Sequence, residues 1–237
     1  MRFTSTSEKN SVRSSSVIEE KIQELKAELV EYSTLVVTMV ENCVRGLVEK
    51  NEDLLHDLIE KDEPRANDYE IELDEMCTTY IVKYQPKAKD LRTILMILKM
   101  NNDLERIADH AVNISQSALY LIEQPLVKPL IDIPRMADAV SKMFNDGVTA
   151  FVHENSNLAN DVCARDNVVD ALRDQILREL VTYMISDPST IERSLHLIRI
   201  SKDLERIADL STNICEDVIF LVEGKVIKHH FAEVRSQ

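Results

Sequence analysis

One seven-residue motif occurs twice in the sequence, 100 residues apart. Residues 103–109 and 203–209 both read Asp-Leu-Glu-Arg-Ile-Ala-Asp, and an Asn-Ile pair follows each copy, at Asn113 and Asn213. A seven-residue identity in the same register of two long helical segments indicates an internal duplication. The chain is therefore expected to fold as two copies of one unit.

Apolar residues recur every three or four positions along most of the chain, which is typical of amphipathic helices. The first such stripe begins near Val17 and continues through Leu25 and Leu29. The sequence holds only three glycines, too few for the turns of a many-stranded sandwich or for glycine-rich nucleotide-binding loops. The pattern predicts an all-α protein of six helices, arranged as two tandem three-helix bundles with antiparallel neighbours.

Proline and the polar segments set the expected boundaries. We predict a disordered Ser/Thr-rich tail at 1–16, a first bundle at 17–124, a second bundle at 132–223 and a C-terminal tail at 224–237. The second helix runs from about Glu52 to Lys83, with a break and restart at Pro64. The third helix of each unit carries the repeated motif.

The charge balance excludes some classes of partner. The 42 acidic and 28 basic side chains give a formal charge of −14 at pH 7. Nucleic acids and anionic lipid surfaces bind through Lys and Arg, so neither is an expected partner. No apolar run approaches the roughly 20 residues that cross a bilayer, and the start does not resemble a secretory signal. We expect a cytoplasmic protein whose four widely spaced cysteines are buried free thiols, without a disulfide frame or zinc site.

Acidic side chains lie at matching heights on the second and third helices of each unit. Residues whose numbers have the same sum are level in an antiparallel hairpin. This rule pairs Glu63 with Asp109 and Asn67 with Glu105 in the first unit, and Asp166 with Asp209 and Asp170 with Glu205 in the second. Four oxygen donors held together suit hard or intermediate cations. The alternative is a solvated surface on which Arg106 and Arg206 neutralise the acids.

The doubled motif, on the third helix of two repeated helical units, resembles the PhoU family of bacterial phosphate-transport accessory and regulatory proteins. The similarity covers about residues 17–223. It implies two three-helix bundles whose acidic motifs bind multinuclear metal clusters, of iron, Mn or Mg. Carried over, the ligands are Glu105, Asp109, Asp166, Asp170, Glu205 and Asp209, together with Glu63; Asn67 departs from the acidic pattern, which weakens the first site.

The resemblance also implies a function. It suggests a cytoplasmic regulator, not an enzyme, that keeps the phosphate-starvation response off through contacts with the ATP-binding subunit of the phosphate ABC transporter and a sensor histidine kinase. It further suggests a homodimer that reaches the membrane only through its partners. A metal-dependent enzyme or metal store acting on phosphate or polyphosphate is the alternative. His110, beside the first motif, is either an outer ligand or a surface histidine.

Overall fold

The computed structural model describes the backbone of residues 5–223 and the side chains of residues 17–223. This part of the chain is helical throughout, apart from short turns, and contains no strand. The helices are α1 (Ser5–Glu49), α2 (Glu52–Asp57), α3 (Glu63–Tyr84), α4 (Lys89–Ile122), α5 (Asp132–Val152), α6 (Ser156–Ser186) and α7 (Ile191–Glu223).

Two three-helix bundles make up the fold, as predicted. The first consists of α1, α3 and α4, with α2 leading into α3; the second consists of α5, α6 and α7. The bundles pack against each other along α4 and α7 and along α1 and α5. Their apolar stripes merge into one core that runs through both units. The predicted register is confirmed in both copies, since Ile97 and Leu104 on α4 and their equivalents Leu197 and Leu204 on α7 are all buried.

The N-terminal tail differs from the prediction. Helix α1 already begins at Ser5, so residues 5–16, predicted to be disordered, are helical. No proline or glycine lies in this segment to stop a helix. Residues 1–4 and the predicted C-terminal tail at 224–237 lie outside the described residues.

The predicted break at Pro64 is a π-helical turn instead. Leu58–Asp62 form a single turn of π-helix, and α2, this turn and α3 continue as one rod. Pro64 falls in the first turn of α3, where its missing N–H is tolerated because the preceding turn has rearranged its hydrogen bonds. The six predicted helices are therefore present, and the second contains the π-helical turn between α2 and α3.

The same turn ends the first helix of each bundle. Lys50 and Glu154 both adopt the left-handed conformation, with φ of 53° and 49°. The next residue, Asn51 or Asn155, then caps the following helix, its side chain accepting a hydrogen bond from the backbone N–H three residues on, at 3.0 and 3.1 Å. The internal duplication therefore includes these turns, although the amino acids around them differ.

Among the described residues, lysine ion pairs and a histidine–carboxylate hydrogen bond cross between the bundles. Lys26 and Lys89 both reach Glu154, at 3.3 and 2.9 Å. Lys99 pairs with Asp217 at 3.2 Å, and His110 pairs with Asp203 at 2.9 Å. In each of these pairs, within the described residues, the basic side chain belongs to the first bundle and the carboxylate to the second.

The fold bears on two predictions from the sequence, one about membrane-spanning helices and one about the cysteines. Over the described residues, no helix combines the length and apolar character needed to span a membrane. All four cysteines are free thiols, and Cys43, Cys77 and Cys215 are buried. The expectation of four buried thiols is wrong for Cys163, which is partly exposed because it lies on the solvent-facing edge of α6.

Candidate metal centre

Four carboxylates from α6 and α7 lie near one another in the second bundle. Asp166 and Asp170 lie one turn apart on α6, and Glu205 and Asp209 lie one turn apart on α7. Burial, together with the charges of the other three carboxylates, raises the pKa of Asp166 to about 6. The charges of Asp209, Asp170 and Glu205 therefore act on Asp166, but whether the four residues bind a metal stays a prediction. We refer to them as the second acidic cluster.

Arginine side chains compensate part of this negative charge. The Arg173 guanidinium donates to Glu205 Oε1 at 2.9 Å and lies 4.0 Å from Asp170. Arg206 donates to Asp209 Oδ2 at 2.8 Å. The sequence pattern anticipated Arg206 as a neutralising partner but missed Arg173, which lies two turns beyond Asp166 on the same face of α6.

The first bundle carries a related group of acids. Burial is the main cause that raises the pKa of Glu105, and the charges of Asp109 and Glu70 add to it. Arg106 acts in the opposite direction on that pKa, but its ion pair is with Asp103, at 3.5 Å. Glu70 was not among the predicted ligands. We refer to Glu70, Glu105 and Asp109, together with the predicted ligand Glu63 on the same face of α3 as Glu70, as the first acidic cluster.

The two clusters occupy equivalent positions. A constant separation of 103 residues relates the buried positions of α3 to those of α6, namely Ala66, Leu73 and Cys77 to Val169, Ile176 and Leu180. By the same separation Glu63 corresponds to Asp166, Asn67 to Asp170 and Glu70 to Arg173. The exposed Asn67 thus replaces an acid, but Glu70 adds one where the second cluster has a guanidinium. Glu70 lies one turn after Asn67 on the same face of α3, so helical spacing in the sequence was a signal that could have identified it.

A buried phenol lies next to the first acidic cluster. Tyr32 on α1 is fully buried and stacks on Tyr69 of α3, with ring centroids 5.5 Å apart. Burial raises the pKa of Tyr32, and the charges of Glu70, Glu105 and Asp109 raise it further. Its hydroxyl has no hydrogen-bond partner among the described residues. Buried polar atoms are rarely left unpaired, so this atom points to a missing polar group or ion at the cluster.

His110 and the two motif asparagines do not join the clusters. The half-buried His110 ring bonds through Nδ1 to Asp203 Oδ1 of the other bundle, at 2.9 Å. It is therefore not a plain surface histidine, and its role as an outer ligand stays a prediction. Asn113 and Asn213 are both exposed.

The side chains as they stand are not converged on a common ion. Within the described residues, no group of three or more His, Cys, Asp or Glu side chains has the arrangement needed to hold a metal ion. In the second acidic cluster, Arg173 is bonded to Glu205 and Arg206 to Asp209, and a cation would need these two carboxylates. What the arrangement offers chemically is a concentration of oxygen donors with excess negative charge, which attracts hard cations and repels anions.

A model of the PhoU domain matches residues 29–118 and, separately, residues 133–218. The chain belongs to the PhoU family. The two matches fall on the two bundles, each of which is one PhoU domain, and together they cover most of the chain.

Curated PhoU relatives match over nearly their whole length. The chain is 35% identical over 217 residues to a phosphate-specific transport system accessory protein PhoU homolog of Aquifex aeolicus, covering 92% of this chain and 98% of that protein. It is 36% identical over 210 residues to the homolog of Pseudomonas putida, covering 88% of this chain and 82% of that protein.

Solved PhoU structures have the same fold. The crystal structure of PhoU from Pseudomonas aeruginosa superposes with a TM-score of 0.84 at 34% identity, covering 87% of this chain and 99% of that one. The phosphate transport system regulatory protein PhoU from Streptococcus pneumoniae gives a TM-score of 0.81 at 23% identity, covering 88% of this chain and 98% of that one, which shows the shared fold.

The donor chemistry of both PhoU domains fits the metal clusters that the family resemblance implies. Carboxylates and a phenol supply oxygen, which suits Mg, Mn or iron rather than a thiolate-seeking metal. The unpaired Tyr32 hydroxyl and the repulsion among the carboxylates are both features that a cation would relieve.

Proposed function

We propose that this chain regulates phosphate uptake and phosphate-starvation signalling through protein–protein contacts. The observation that carries the proposal is the PhoU match in both halves, together with relatives at 35–36% identity whose names describe an accessory protein of the phosphate-specific transport system. The chain acts in the cytoplasm as a homodimer. Its partners are the ATP-binding subunit of the phosphate ABC transporter and a sensor histidine kinase, and its effect is negative.

Deletion of the gene in its source organism tests this role. In phosphate-rich medium the deletion is expected to raise phosphate uptake and transcription of the transporter genes, and a plasmid copy is expected to restore both. Affinity capture from the complemented strain should recover the transporter ATP-binding subunit and the kinase. Unchanged uptake and transcription after deletion would contradict a negative regulator.

Metal binding at the two acidic clusters is the second part of the proposal. Asp166, Asp170, Glu205 and Asp209 hold ions in the second domain; Glu63, Glu70, Glu105 and Asp109 hold them in the first, with Tyr32 as an added donor. Bound cations supply charge compensation at each cluster. The role of the chain is to present the oxygens from two antiparallel helices, with Arg173 and Arg206 as the counter-charges that a cation displaces.

Chelation of the purified protein tests the metal clusters. A ligand that binds only the folded state at a hundredfold excess over its Kd adds about 2.7 kcal/mol, so removing it should lower Tm by roughly 5–10 °C in a chain of this size. Elemental analysis before and after chelation identifies the ion. The D166N/D209N variant should lose the second-domain ions, whereas E223Q, at the exposed end of α7, should bind as the wild type does. Identical melting of chelated and Mn²⁺-loaded protein would contradict the proposal.

A catalytic role is not part of the proposal. The family match is to accessory proteins, and the clusters offer neither a nucleophile with its base nor a phosphate cradle. With Mn²⁺ or Mg²⁺ present we expect no hydrolysis of phosphomonoesters or polyphosphate. Metal-dependent hydrolysis that disappears in E205A/D209A would establish the enzymatic alternative.

A further inference from the structure

Two of the four thiols lie against each other between α6 and α7. Cys163 of α6 is the neighbouring side chain that acts most strongly on the Cys215 thiol of α7. The Cys163 thiol also lies 3.9 Å from the carbonyl oxygen of Thr212, one turn before Cys215. The two cysteines are 52 residues apart in sequence, and the antiparallel packing of α6 on α7 brings them together.

The two thiols differ in access. Cys215 is fully buried, and a Cβ built on Gly147 of α5 would lie 3.2 Å from its sulfur, so the thiol is packed closely against the α5 backbone. Cys163 is partly exposed. Contact with Cys163 and burial both raise the pKa of Cys215. Small oxidants from solvent therefore meet Cys163 first.

We propose that a hydroperoxide converts Cys163 and Cys215 into a reversible disulfide that ties α6 to α7. The Cys163 sulfur attacks the peroxide, the O–O bond breaks, and the products are Cys163 sulfenic acid and one water that carries the thiol proton. The Cys215 sulfur then attacks the Cys163 sulfur and the S–O bond breaks. The departing hydroxide takes the Cys215 proton and leaves as the second water, so two thiols and one hydrogen peroxide give one disulfide and two waters.

The crosslink would form beside the second acidic cluster. Cys163 lies one turn before Asp166 on α6, and on α7 the Thr212 hydroxyl donates to the backbone carbonyl of Asp209 at 2.7 Å. A covalent bond at this level fixes the spacing of the two helices that carry the cluster. In a reducing cytosol such a bond is transient and is reversed by dithiol exchange, which is the behaviour of a redox-sensing pair.

Thiol counting and peptide mapping test the disulfide. The folded protein is treated with a small molar excess of hydrogen peroxide, alkylated, digested without reductant and analysed by mass spectrometry. The accessible and buried thiols, counted in denaturant, should fall from four to two. One crosslinked peptide pair should contain Cys163 and Cys215, and dithiothreitol should restore all four thiols. The oxidised protein should also unfold at higher urea, because the crosslink closes a long loop.

Single-cysteine variants provide the controls. C77S, which removes a buried thiol of the first bundle, should form the same crosslink, whereas C163S and C215S should form none. Sulfinic acid on Cys163 with Cys215 still free, or four thiols remaining after peroxide treatment, would overturn the proposal. If C215S fails to fold, the wild-type peptide map decides alone, since a pair that involves Cys43 or Cys77 instead would also overturn it.

Discussion

At the scale of single residues, the pKa of Asp166 reflects burial and the repulsion among the carboxylates of the second acidic cluster. Its carboxyl is only half-buried, yet three neighbouring carboxylates and the loss of solvent raise its pKa to about 6. A proton is the smallest cation that relieves this repulsion. If the cluster binds metal as proposed, proton and metal compete for it, and the pH response of metal-free protein reports how strongly the other three carboxylates act on Asp166.

We predict that Asp166 makes metal-free protein less stable as the pH rises. Its pKa is raised from 3.8 to about 6 in the folded state, so the stabilising proton is fully bound below pH 4 and is lost as the pH passes 6. Other carboxyls with lowered pKa act in the opposite direction. The measurement is therefore the difference in urea midpoint between wild type and D166N from pH 4 to 7, which should move in favour of D166N as the pH rises. A difference that does not change with pH would show that Asp166 titrates normally.

Arg173 should oppose metal binding at the second acidic cluster. Its guanidinium lies 2.9 Å from Glu205, and a cation has to displace it. Removing a partly exposed pair worth about 1 kcal/mol predicts a roughly five-fold lower Kd for Mn²⁺ in R173Q, measured by calorimetry. R178Q removes the same charge from an exposed position farther along α6 and should leave Kd nearly unchanged. Weaker binding in R173Q would mean that the arginine organises the site.

The sequence predicted some members of the acidic clusters and missed others for a geometric reason. Equal residue sums give the height of a side chain along two antiparallel helices, which is enough to group Asp166 with Asp209. They group only side chains at one level, so Glu70 and Arg173, one turn farther along the same face, were missed. Tyr32 comes from α1, and its contact with the cluster depends on how a third helix packs against the other two.

At the scale of the elements, the fold was predictable wherever local chemistry ends a helix. The Asp187-Pro188 turn and the repeated apolar stripes determined α6 and α7 to within a few residues. The sequence did not determine the π-helical turn at Leu58–Asp62. A proline in a helix is compatible with a break, a kink or a π-helical turn. Which one forms depends on packing against α1, which the local sequence does not contain.

The close approach of α2 to α1 depends on Gly46. A Cβ at this position would lie 2.5 Å from Cδ2 and 2.7 Å from Cγ of Leu55, which is itself fully buried. We predict that G46A destabilises the protein by about 1–3 kcal/mol, since the buried leucine has to move. V48A, at an exposed position two residues on, should change stability by less than about 0.5 kcal/mol in the same urea titration. Equal stability of G46A and wild type would show that α2 shifts freely.

At the scale of the whole molecule, one buried lysine joins the connection between the domains to the second bundle. Lys128 lies in the segment between α4 and α5 and is almost fully buried. Its ammonium donates to Asp132 of α5 at 2.7 Å and also to Glu179 of α6. The Lys128 ammonium therefore holds this segment against α5 and α6, in addition to the apolar contacts of its neighbours with the core.

Removal of the Lys128 ammonium should be costly. We predict that K128A destabilises the protein by about 3 kcal/mol, because it leaves two carboxylates facing a buried site without their cation. K142A, at an exposed position on α5, should stay within about 0.5 kcal/mol of wild type. Both are measured by urea unfolding at neutral pH. A loss below about 1 kcal/mol for K128A would indicate that water replaces the ammonium.

Among the described residues, the lysine ion pairs and the His110–Asp203 hydrogen bond that link the bundles have the same polarity. Lys26, Lys89, Lys99 and His110 face carboxylates that belong only to the second half. Two copies of the first half brought together in the same way would oppose basic side chains to basic ones, and two second halves would oppose acids to acids. After the ancestral unit was duplicated, this divergence made each half the complement of the other. A first half therefore pairs better with a second half than with another first half, which disfavours association between like halves of two molecules.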